Sequence, residues 1–406
     1  METNFNYPRG SEWRKWDLHV HTPYSHLNNQ FEVSDNHGTW DNYVRKLFHK
    51  AIEKNIAVIG ITDYFLIDGY KKIKNDYLNN DEKLNELFDN NEEKLSLIKN
   101  ILVLPNIEFR LNKLVGTQRI NFHVIFSNDV DIDSIETNFL NEIKFVYEGG
   151  PQTEDEKRPL NIKNLIQLGQ TLKEQHDKFA TKSDIGLMNA VINDEDIVKI
   201  LINKKSLFKG KYLLFIPADE DLSEISWDGQ DHQTRKVLIQ KSDGLIASNP
   251  NTIQWALGYK HPGINREEQI TNFKNEFKSL KPCIWGSDAH NFEKLFEPDQ
   301  KRYTWIKADP TFEGLKQIIY EPEERVYIGE EPDIKKKVKE NKTKFIESIK
   351  INQVEGYNES NGIWFKNIDI SLNPGLVAII GNKGSGKSAF TDIISLCGNS
   401  YRYNDF

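Results

Sequence analysis

The sequence predicts an α/β fold in which buried strands close into a barrel, and two observations support this prediction. The first is a series of short apolar runs, such as residues 57–62 and 120–126, separated by stretches with helical periodicity. Runs of this length between helices are typical of parallel strands with crossover helices. The second is that residues of metal-ligand type stand in or just after these runs, and the loops that follow the strands of a closed barrel build its active site.

Seven apolar runs are predicted to be the barrel strands: residues 17–22, 57–62, 101–107, 120–126, 212–217, 245–247 and 283–285. After the first run, Trp40, Tyr43, Leu47 and Ala51 recur at steps of three and four residues, which is typical of an amphipathic helix. Further helical segments are predicted at residues 74–100, 132–145, 160–178, 194–207, 231–242 and 265–280. This alternation of strands and helices favours the α/β class.

Two pairs of ligand-type residues are prominent, His19 with His21 and Asp288 with His290. Side chains two residues apart on a strand point to the same face, so each pair is expected to present its donors together. Neutral imidazole and carboxylate are ligands that borderline divalent metals prefer. One such pair is explained equally well by two ordinary histidines. The second pair, distant in sequence and also after an apolar run, favours a metal site.

Five motifs in fixed order, DLHVHT, ITDY, NIEF, NFHV and GSDAH, resemble those of the PHP family, the polymerase and histidinol phosphatase superfamily. An ordered set of motifs is more specific than any one of them. The resemblance covers roughly the first 300 residues. It implies a distorted (β/α)7 barrel with two or three divalent ions, manganese, zinc or iron, that hydrolyses phosphoesters.

The resemblance also implies which side chains bind the ions: His19, His21, His26, Glu108, His123, Asp288 and His290. In that arrangement His19, His21 and Asp288 hold the first ion. Glu108 bridges it to a second ion held by His123. His26 and His290 belong to a third ion.

Two positions depart from the family pattern. The family has Thr-Asp-His where this chain has Thr-Asp-Tyr at residues 62–64, and a phenol with a pKa of about 10 is a poor ligand near neutral pH. Either Asp63 takes the place of the histidine or the third ion is bound weakly. The family also has His-Pro after its fifth strand, where this chain has Asp-Glu-Asp at residues 219–221. One of these carboxylates is a candidate replacement, whereas His261 is interpreted as a loop residue.

A P-loop follows the barrel region. An apolar run at residues 376–380 is predicted to be a strand, and it leads into a GxxxxGK[ST] pattern and a helix from about Ala389. Glycines let backbone N–H groups surround phosphates, Lys387 reaches the β- and γ-phosphates, and Ser388 binds Mg²⁺. The candidate residues for ATP with Mg²⁺ are Gly381, Asn382, Lys383, Gly384, Ser385, Gly386, Lys387 and Ser388.

The P-loop segment resembles the N-terminal lobe of ABC-type and SMC-like ATPases, and PHP barrels fused to such ATPases resemble bacterial anti-phage defence proteins. The expected domains are a PHP barrel at 1–330, a linker at 331–344 and the start of an ATPase domain at 345–406. Because only 18 residues follow Ser388, a Walker B acid is absent and the chain is expected to be truncated or the N-terminal part of a longer protein.

Composition restricts the class of protein. Of the 406 residues, 38% are hydrophobic and 28% charged, as in soluble globular proteins. No apolar stretch approaches the roughly 20 residues that span a bilayer, and the N-terminus lacks a signal-peptide pattern. Cys283 and Cys397 are too few for a disulfide framework. A cytoplasmic protein without membrane partners is therefore expected. The net charge of −8 argues against nucleic-acid affinity over the whole surface, though not against a local basic groove.

The motifs and the two resemblances together imply a metal-dependent phosphodiester hydrolase, a nuclease regulated by a fused ATPase. A nucleic-acid substrate, a phage-derived trigger and a homo-oligomer are expected. The candidate catalytic residues are Asp63, Glu108 and Arg110; Arg110 either holds a substrate phosphate or forms a structural ion pair. Two alternatives stay open, because the motifs do not separate them. One is a phosphatase acting on nucleotides or other small molecules, and the other is an ATP-sensing P-loop protein with a degenerate, structural barrel.

Overall fold

The computed structural model describes most of the chain and divides it into two units. The described ranges are 7–31, 39–115, 118–146, 157–175, 186, 188–219, 232–259, 263–363 and 365–398. The larger unit is Trp13–Glu330, and the smaller one combines Met1–Glu12 with Glu331–Phe406. Among the described residues, no helix is both long enough and apolar enough to cross a membrane.

The strands of the larger unit form a nine-stranded sheet and a short hairpin. Their bounds are β1 Trp13–His21, β2 Ile56–Tyr64, β3 Leu102–Val115, β4 Gln118–Phe126, β5 Lys144–Val146, β6 Lys157–Pro159, β7 Tyr212–Pro217, β8 Gly244–Ile246, β9 Cys283–Ile284, β10 Tyr303–Lys307 and β11 Val326–Gly329. The large sheet has the order β11-β10-β1-β2-β3-β4-β7-β8-β9, and β5 pairs with β6. All seven predicted strands are confirmed, and β10 and β11 are additional.

Helices connect these strands. Their bounds are α1 Thr39–Lys54, α2 Asp68–Lys72, α3 Asp81–Leu87, α4 Glu92–Lys99, α5 Ile132–Asn138, α6 Ile162–Gln175, α7 Asp194–Asn203, α8 Lys205–Phe208, α9 His232–Lys241, α10 Pro250–Ala256, α11 Arg266–Phe277, α12 Phe312–Tyr320 and α13 Pro322–Arg325, with a π-helical segment at Ile73–Leu78. The predicted helix at 132–145 is wrong in its last part, where β5 forms instead. Residues 176–178 of another predicted helix and His261 lie outside the described residues.

The prediction that the barrel strands are all parallel is wrong. β1, β2 and β3 are parallel, as are β7, β8 and β9, but β4 is antiparallel to both β3 and β7. Only two residues, 116 and 117, separate β3 from β4, and so short a connection can join only antiparallel strands. β10 and β11 extend the sheet beyond β1 as a second antiparallel pair.

The sheet is nearly closed, because the segment after β9 returns to the other end of it. The Trp285 backbone N–H donates to Thr304 Oγ1 at 2.7 Å, and the Thr304 hydroxyl donates to the Trp285 carbonyl at 2.7 Å. The His21 N–H donates to the Ala289 carbonyl at 3.1 Å. The result is a mixed α/β, barrel-like sheet in which the carboxyl ends of β1, β2 and β3 lie at one end.

The interior of this sheet is an apolar cluster with members from eight strands. They include Trp16, Val58, Leu104, Ile125, Leu213, Ile246, Ile284 and Ile306, packed with Phe312, Leu315 and Ile318 of α12. A separate cluster lies between the sheet and the other helices. The interior is therefore a packed apolar core. Polar side chains replace it at the mouth of the barrel, the end where the carboxyl ends of β1, β2 and β3 lie.

The smaller unit contains β12 Ser348–Ile351 and β13 Ile368–Ser371, which pair antiparallel, and the helices α14 Asp333–Glu340 and α15 Lys387–Cys397. The predicted strand at 376–380 is not formed in this described stretch. A strand needs a hydrogen-bonded neighbour for its backbone, and these residues have none in the sheets. Leu376 and Ile380 are accordingly 88% and 90% exposed.

One buried lysine, at the end of the barrel opposite the mouth, leads to a prediction about how the free energy of unfolding depends on pH. Lys281 is buried and its Nζ donates to the Ser242 carbonyl at 2.6 Å. Burial lowers the pKa of Lys281 to about 8 from an ordinary value of 10.5, although Asp243 opposes the shift. Between these two values the unfolded chain binds more protons than the folded chain, so the free energy of unfolding rises with pH.

We expect denaturant unfolding to show this rise in the wild type and not in Lys281→Met. The difference between the two free energies of unfolding should shift in favour of the wild type by about 1–3 kcal/mol from pH 7.5 to 10.5. Lys274→Met, on the exposed face of α11, is the control and should follow the wild type. A constant difference between wild type and Lys281→Met would contradict the prediction.

Candidate metal centre

The end of β1 presents two imidazoles to the mouth of the barrel because the strand contains a bulge. The register of β1 against β2 shifts between Asp17 and Val20. Leu18 belongs to the interior core, whereas Val20 packs in the outer cluster. With one residue added at the bulge, His19 and His21 fall on the interior side directly above Leu18. The prediction that the two histidines share a face is confirmed.

The donor atoms of four side chains meet at this mouth. His19 Nε2 lies 3.1 Å from His21 Nε2, 3.3 Å from Glu108 Oε2 and 3.2 Å from Asp288 Oδ1. His21 Nε2 lies 3.2 Å from the same Asp288 oxygen. Two groups of possible metal ligands result, His19–His21–Asp288 and His19–Glu108–His123, each with ligand atoms within 4.8 Å of one another. His19 is common to both groups.

Strand register aligns the second group. Glu108 of β3 pairs with His123 of β4 on one side and with Tyr64 of β2 on the other. Glu108 Oε1 lies 4.0 Å from His123 Nε2 and accepts a hydrogen bond from Asn121 Nδ2 at 2.8 Å. The hairpin that reverses β4 therefore brings Glu108 and His123 side by side.

His123 is held by Asn106 with one ring nitrogen free toward the centre. Asn106 Nδ2 donates to the Leu18 carbonyl at 2.8 Å and to Thr62 Oγ1 at 3.0 Å. Its Oδ1 therefore accepts from His123 Nδ1–H at 3.3 Å. His123 Nε2 is buried and has no hydrogen-bond partner among the described residues. A buried lone pair without a partner is costly, and a bound cation would satisfy it.

Asp63 lies behind the centre and positions His21 through Ser25. Its carboxylate accepts from Thr22 Oγ1 at 2.8 Å, Ser25 Oγ at 2.8 Å and the Gly69 N–H at 3.1 Å. Because Ser25 donates its one proton to Asp63, its oxygen accepts from His21 Nδ1–H at 2.6 Å. The Nε2 lone pair of His21 then faces the centre. Burial raises the pKa of Asp63 to about 7, and the bonds from Ser25 and Thr22 oppose that rise.

Asp288 and His290 reach the centre from irregular backbone, so the predicted strand alternation at this pair is wrong. The strand β9 ends at Ile284, and Asp288 has a positive φ of 47°. Asp17 holds the turn before Asp288 by accepting the Ser287 N–H at 3.1 Å. A Cβ on Gly286 would lie 2.5 Å from His19 Cβ, so only glycine allows this approach.

The charges in the centre are distributed unevenly among the imidazoles. Burial by itself lowers the pKa of His19, but the carboxylates of Asp288 and Glu108 outweigh it and raise the pKa to about 9. Burial lowers the pKa of His21 to about 4 and that of His123 to about 3. His21 and His123 are thus neutral near pH 7, the form in which imidazole binds a metal. The proton on His19 marks a position where positive charge is stabilised by two carboxylates.

The donor set fits divalent ions of the first transition row. Imidazole nitrogens and carboxylate oxygens converge without a thiolate, and such sets suit manganese, zinc or iron. The hydrogen bonds from Asn106 and Ser25 are the outer contacts that orient metal-binding histidines. The candidate groups indicate a site for divalent metal ions.

The other predicted site residues lie outside the two groups. His26 stacks near Tyr24, with ring centres 6.2 Å apart. His290 lies beside the centre and is hydrogen-bonded to Tyr64. Arg110 donates to the Met188 carbonyl at 3.2 Å. Asp219 accepts the backbone N–H groups of Ser248 and Asn249. Glu220 and Asp221 lie outside the described residues.

A cavity of about 260 Å³ lies beside Asp288 and His290. Its wall contains one indole, three side-chain amides and an ion pair, from Trp285, Asn28, Gln30, Asn291, Lys294 and Asp299. The amides are linked, since Gln30 Nε2 donates to Asn28 Oδ1 at 3.0 Å. The metal centre thus has an adjoining polar space that could receive part of a substrate.

The residues predicted to bind ATP form an exposed loop in the smaller unit. Residues 381–386 precede α15, which begins at Lys387, two residues earlier than predicted. Lys387 Nζ donates to the carbonyls of Gly381 at 2.8 Å and Asn382 at 2.9 Å. Gly384 and Gly386 have positive φ values of 82° and 85°, which glycine adopts without strain.

Several supporting residues were missed at the level of sequence. Asn106 and Asn121 each stand two residues before a candidate ligand, so the spacing that relates His19 to His21 would also have found them. The same spacing would not have found Asp17, because the bulge after it breaks the alternation before His19. Ser25 stands four residues after His21 in a loop, where no strand periodicity applies.

No protein-family model matches the chain. No curated protein matches it. Among solved structures, a proposed metal-dependent phosphoesterase from Bifidobacterium adolescentis is similar over 76% of this chain and 97% of its own, with 13% identity and a TM-score of 0.33. An amidohydrolase from Chromobacterium violaceum is similar over 68% and 88%, with 10% identity and a TM-score of 0.29. TM-scores this low leave the assignment of function to the site itself.

Proposed function

We propose that the larger unit is a metal-dependent phosphodiester hydrolase. The observation that carries this proposal is the pair of ligand groups that share His19, with the orphaned Nε2 of His123 in one of them. Divalent ions bound there would lower the pKa of a water molecule and polarise a phosphoryl oxygen. Within the described residues, this set of imidazoles and carboxylates is the one that could supply such chemistry.

The chain's own residues have defined tasks in this proposal. Glu108 and Asp288 contribute negative charge at the ends of the centre, and His19 lies between them. Ser25 and Asn106 hold His21 and His123 in the tautomer that leaves Nε2 unprotonated. The half-exposed Asp288 borders the adjoining cavity, so substrate would enter from that side.

A polynucleotide is the substrate that we favour over a small phosphoester, because two lysines of α1 contact residues 292 and 293, which follow Asn291 of the cavity wall. Lys46 is exposed on α1, with its Nζ 4.0 Å from the ring centre of Phe292. Lys50 Nζ donates to the carbonyls of Phe292 at 2.9 Å and Glu293 at 3.1 Å. Lys294 lines the cavity itself, where its Nζ pairs with Asp299 at 2.7 Å. Lysines around an active site attract the repeated phosphates of a nucleic acid.

The test is a Mn²⁺-dependent activity screen of the purified chain. Substrates are single-stranded DNA, duplex DNA, RNA, bis-p-nitrophenyl phosphate and p-nitrophenyl phosphate. We expect cleavage of at least one polynucleotide and of the small diester, with little activity on the monoester. Activity on monoesters or free nucleotides with every nucleic acid left intact would refute the nuclease proposal and support a phosphatase.

A charge-reversal pair refines this test. Lys46→Glu should raise the KM for single-stranded DNA about tenfold more than the KM for the small diester, because only the polymer reaches α1. Lys211→Glu, placed directly before β7 at the opposite end of the barrel, is the control and should raise neither.

We further propose that residues 381–388 bind ATP with Mg²⁺. Lys387 folds back onto the carbonyls of the loop, and α15 begins directly behind it, which is where phosphates bind at a helix N-terminus. Equilibrium binding of a fluorescent ATP analogue should be lost in Lys387→Ala. Unchanged binding in this variant would contradict the proposal. Regulation of the barrel by the ATPase segment, a homo-oligomer and a role in anti-phage defence stay predictions.

A further inference from the structure

Tyr64 and His290 form a hydrogen-bonded pair at the edge of the metal centre. Tyr64 Oη lies 3.1 Å from His290 Nε2, and His290 Nδ1 lies 2.9 Å from the Asp288 backbone carbonyl. Both rings stack on His21, with centres 4.8 Å and 3.9 Å away. The stacking restrains all three rings, so the contact is part of a packed arrangement.

The direction of the two hydrogen bonds follows from counting protons. A backbone carbonyl can only accept, so His290 carries its proton on Nδ1 and donates it to Asp288. In the neutral imidazole, which is the form that binds a metal, Nε2 is then the unprotonated nitrogen, and the Tyr64 hydroxyl donates to it. The lone pair that His290 would offer to a metal ion is therefore already occupied by Tyr64.

The two ligand groups identify which imidazoles are still available. They contain His19, His21 and His123, whose Nε2 atoms face the centre, and they do not contain His290. His26, the remaining histidine predicted to be a metal ligand, stacks with Tyr24 and is not in either group. In the part of the chain that the structure describes, no third group of ligands is assembled.

We infer that the centre binds two ions, and that Tyr64 keeps out a third one by occupying Nε2 of His290. This inference rests on the proposed metal centre. At this centre, Tyr64 is a positioning residue that fixes His290 against His21 at the edge of the cavity. A neutral phenol group thus takes a place where a histidine would give the ion another nitrogen ligand.

The experiment counts metal ions rather than activity. The purified full chain is saturated with Mn²⁺, freed of excess metal by gel filtration and analysed by mass spectrometry of the elements. We expect two ions per wild-type chain and three per Tyr64→His chain, in which the side chains at 64 and 290 both offer nitrogen ligands. Tyr320→His, at a 74% exposed position, controls for a histidine added elsewhere and should keep two ions.

Each outcome decides the inference. Three ions in the wild type would overturn it, while the proposed hydrolase would stand. Two ions in a folded Tyr64→His chain would also overturn it, because Tyr64 would then not be what excludes the third ion. If that variant fails to fold, the wild-type count alone still decides between two and three. A wild type without bound metal would refute the metal centre and this inference with it.

Discussion

Replacing His19 by alanine is expected to abolish both metal binding and hydrolysis. His19 Nε2 is common to the two ligand groups, so its removal leaves each of them with two donors. It also leaves the carboxylates of Glu108 and Asp288 without the imidazole between them. We expect kcat/KM to fall by at least about 10³-fold, which corresponds to about 4 kcal/mol of transition-state stabilisation. Metal content and hydrolysis of the small diester are the measurements.

A histidine on α1 provides the control for this variant. His49 is exposed and packs near Phe88, remote in the chain from both ligand groups. His49→Ala should keep the metal content and activity of the wild type. The core cluster below the centre does not include His19, so the barrel should stay folded in His19→Ala, as judged by circular dichroism. Wild-type activity in His19→Ala would show that hydrolysis takes place elsewhere.

Replacing Glu108 by glutamine is the second change with a large expected effect, although the two side chains have nearly the same shape. Asn121 Nδ2 donates to Glu108 Oε1, so the amide oxygen of a glutamine would stay at that position. Its NH₂ group would then point at the Nε2 atoms of His19 and His21, where Oε2 now lies. A donor replaces an acceptor at the place where the ion needs a ligand.

We therefore expect Glu108→Gln to lose at least one ion per chain and to lower kcat/KM by about 10²–10⁴-fold. The matched control is Glu136→Gln, which removes one carboxylate from a surface pair with Lys71. That variant should be active, with unchanged metal content. If Glu108→Gln keeps its full metal content and rate, Glu108 is not a ligand, and the second group of the centre is wrongly assigned.

Much of the site was predictable because strand periodicity and motif order are local properties. His19 and His21 point the same way because they are two residues apart on one strand, and this holds in the folded protein. Glu108 and His123 stand after or within apolar runs, and their role as ligands was implied by the resemblance of the ordered motifs. The prediction from strand periodicity was wrong at Asp288 and His290, because the backbone after Ile284 leaves the strand conformation. Alternation has no meaning there, although both residues still border the centre.

The direction of β4 was wrongly predicted for a different reason. Apolar runs separated by helices predict parallel neighbours, but the run containing His123 is joined to β3 by two residues instead of a helix. The short connection was not visible in the sequence, because β3 continues past its apolar part to Val115 through polar residues. The pairing with β4 extends the strand beyond its apolar part.

The sequence by itself determined the α/β class, the seven strands and the candidate ligands, because each depends on spacing along a few residues. It also determined the P-loop pattern, although the run at 376–380 forms no strand without a neighbouring strand. Only the tertiary structure decided which donors meet. The bulge before Val20, the register of Glu108 between Tyr64 and His123, and the bond from Tyr64 to His290 all join distant segments. Such contacts depend on how strands align and where each proton goes, and neither is encoded in the spacing of any one motif.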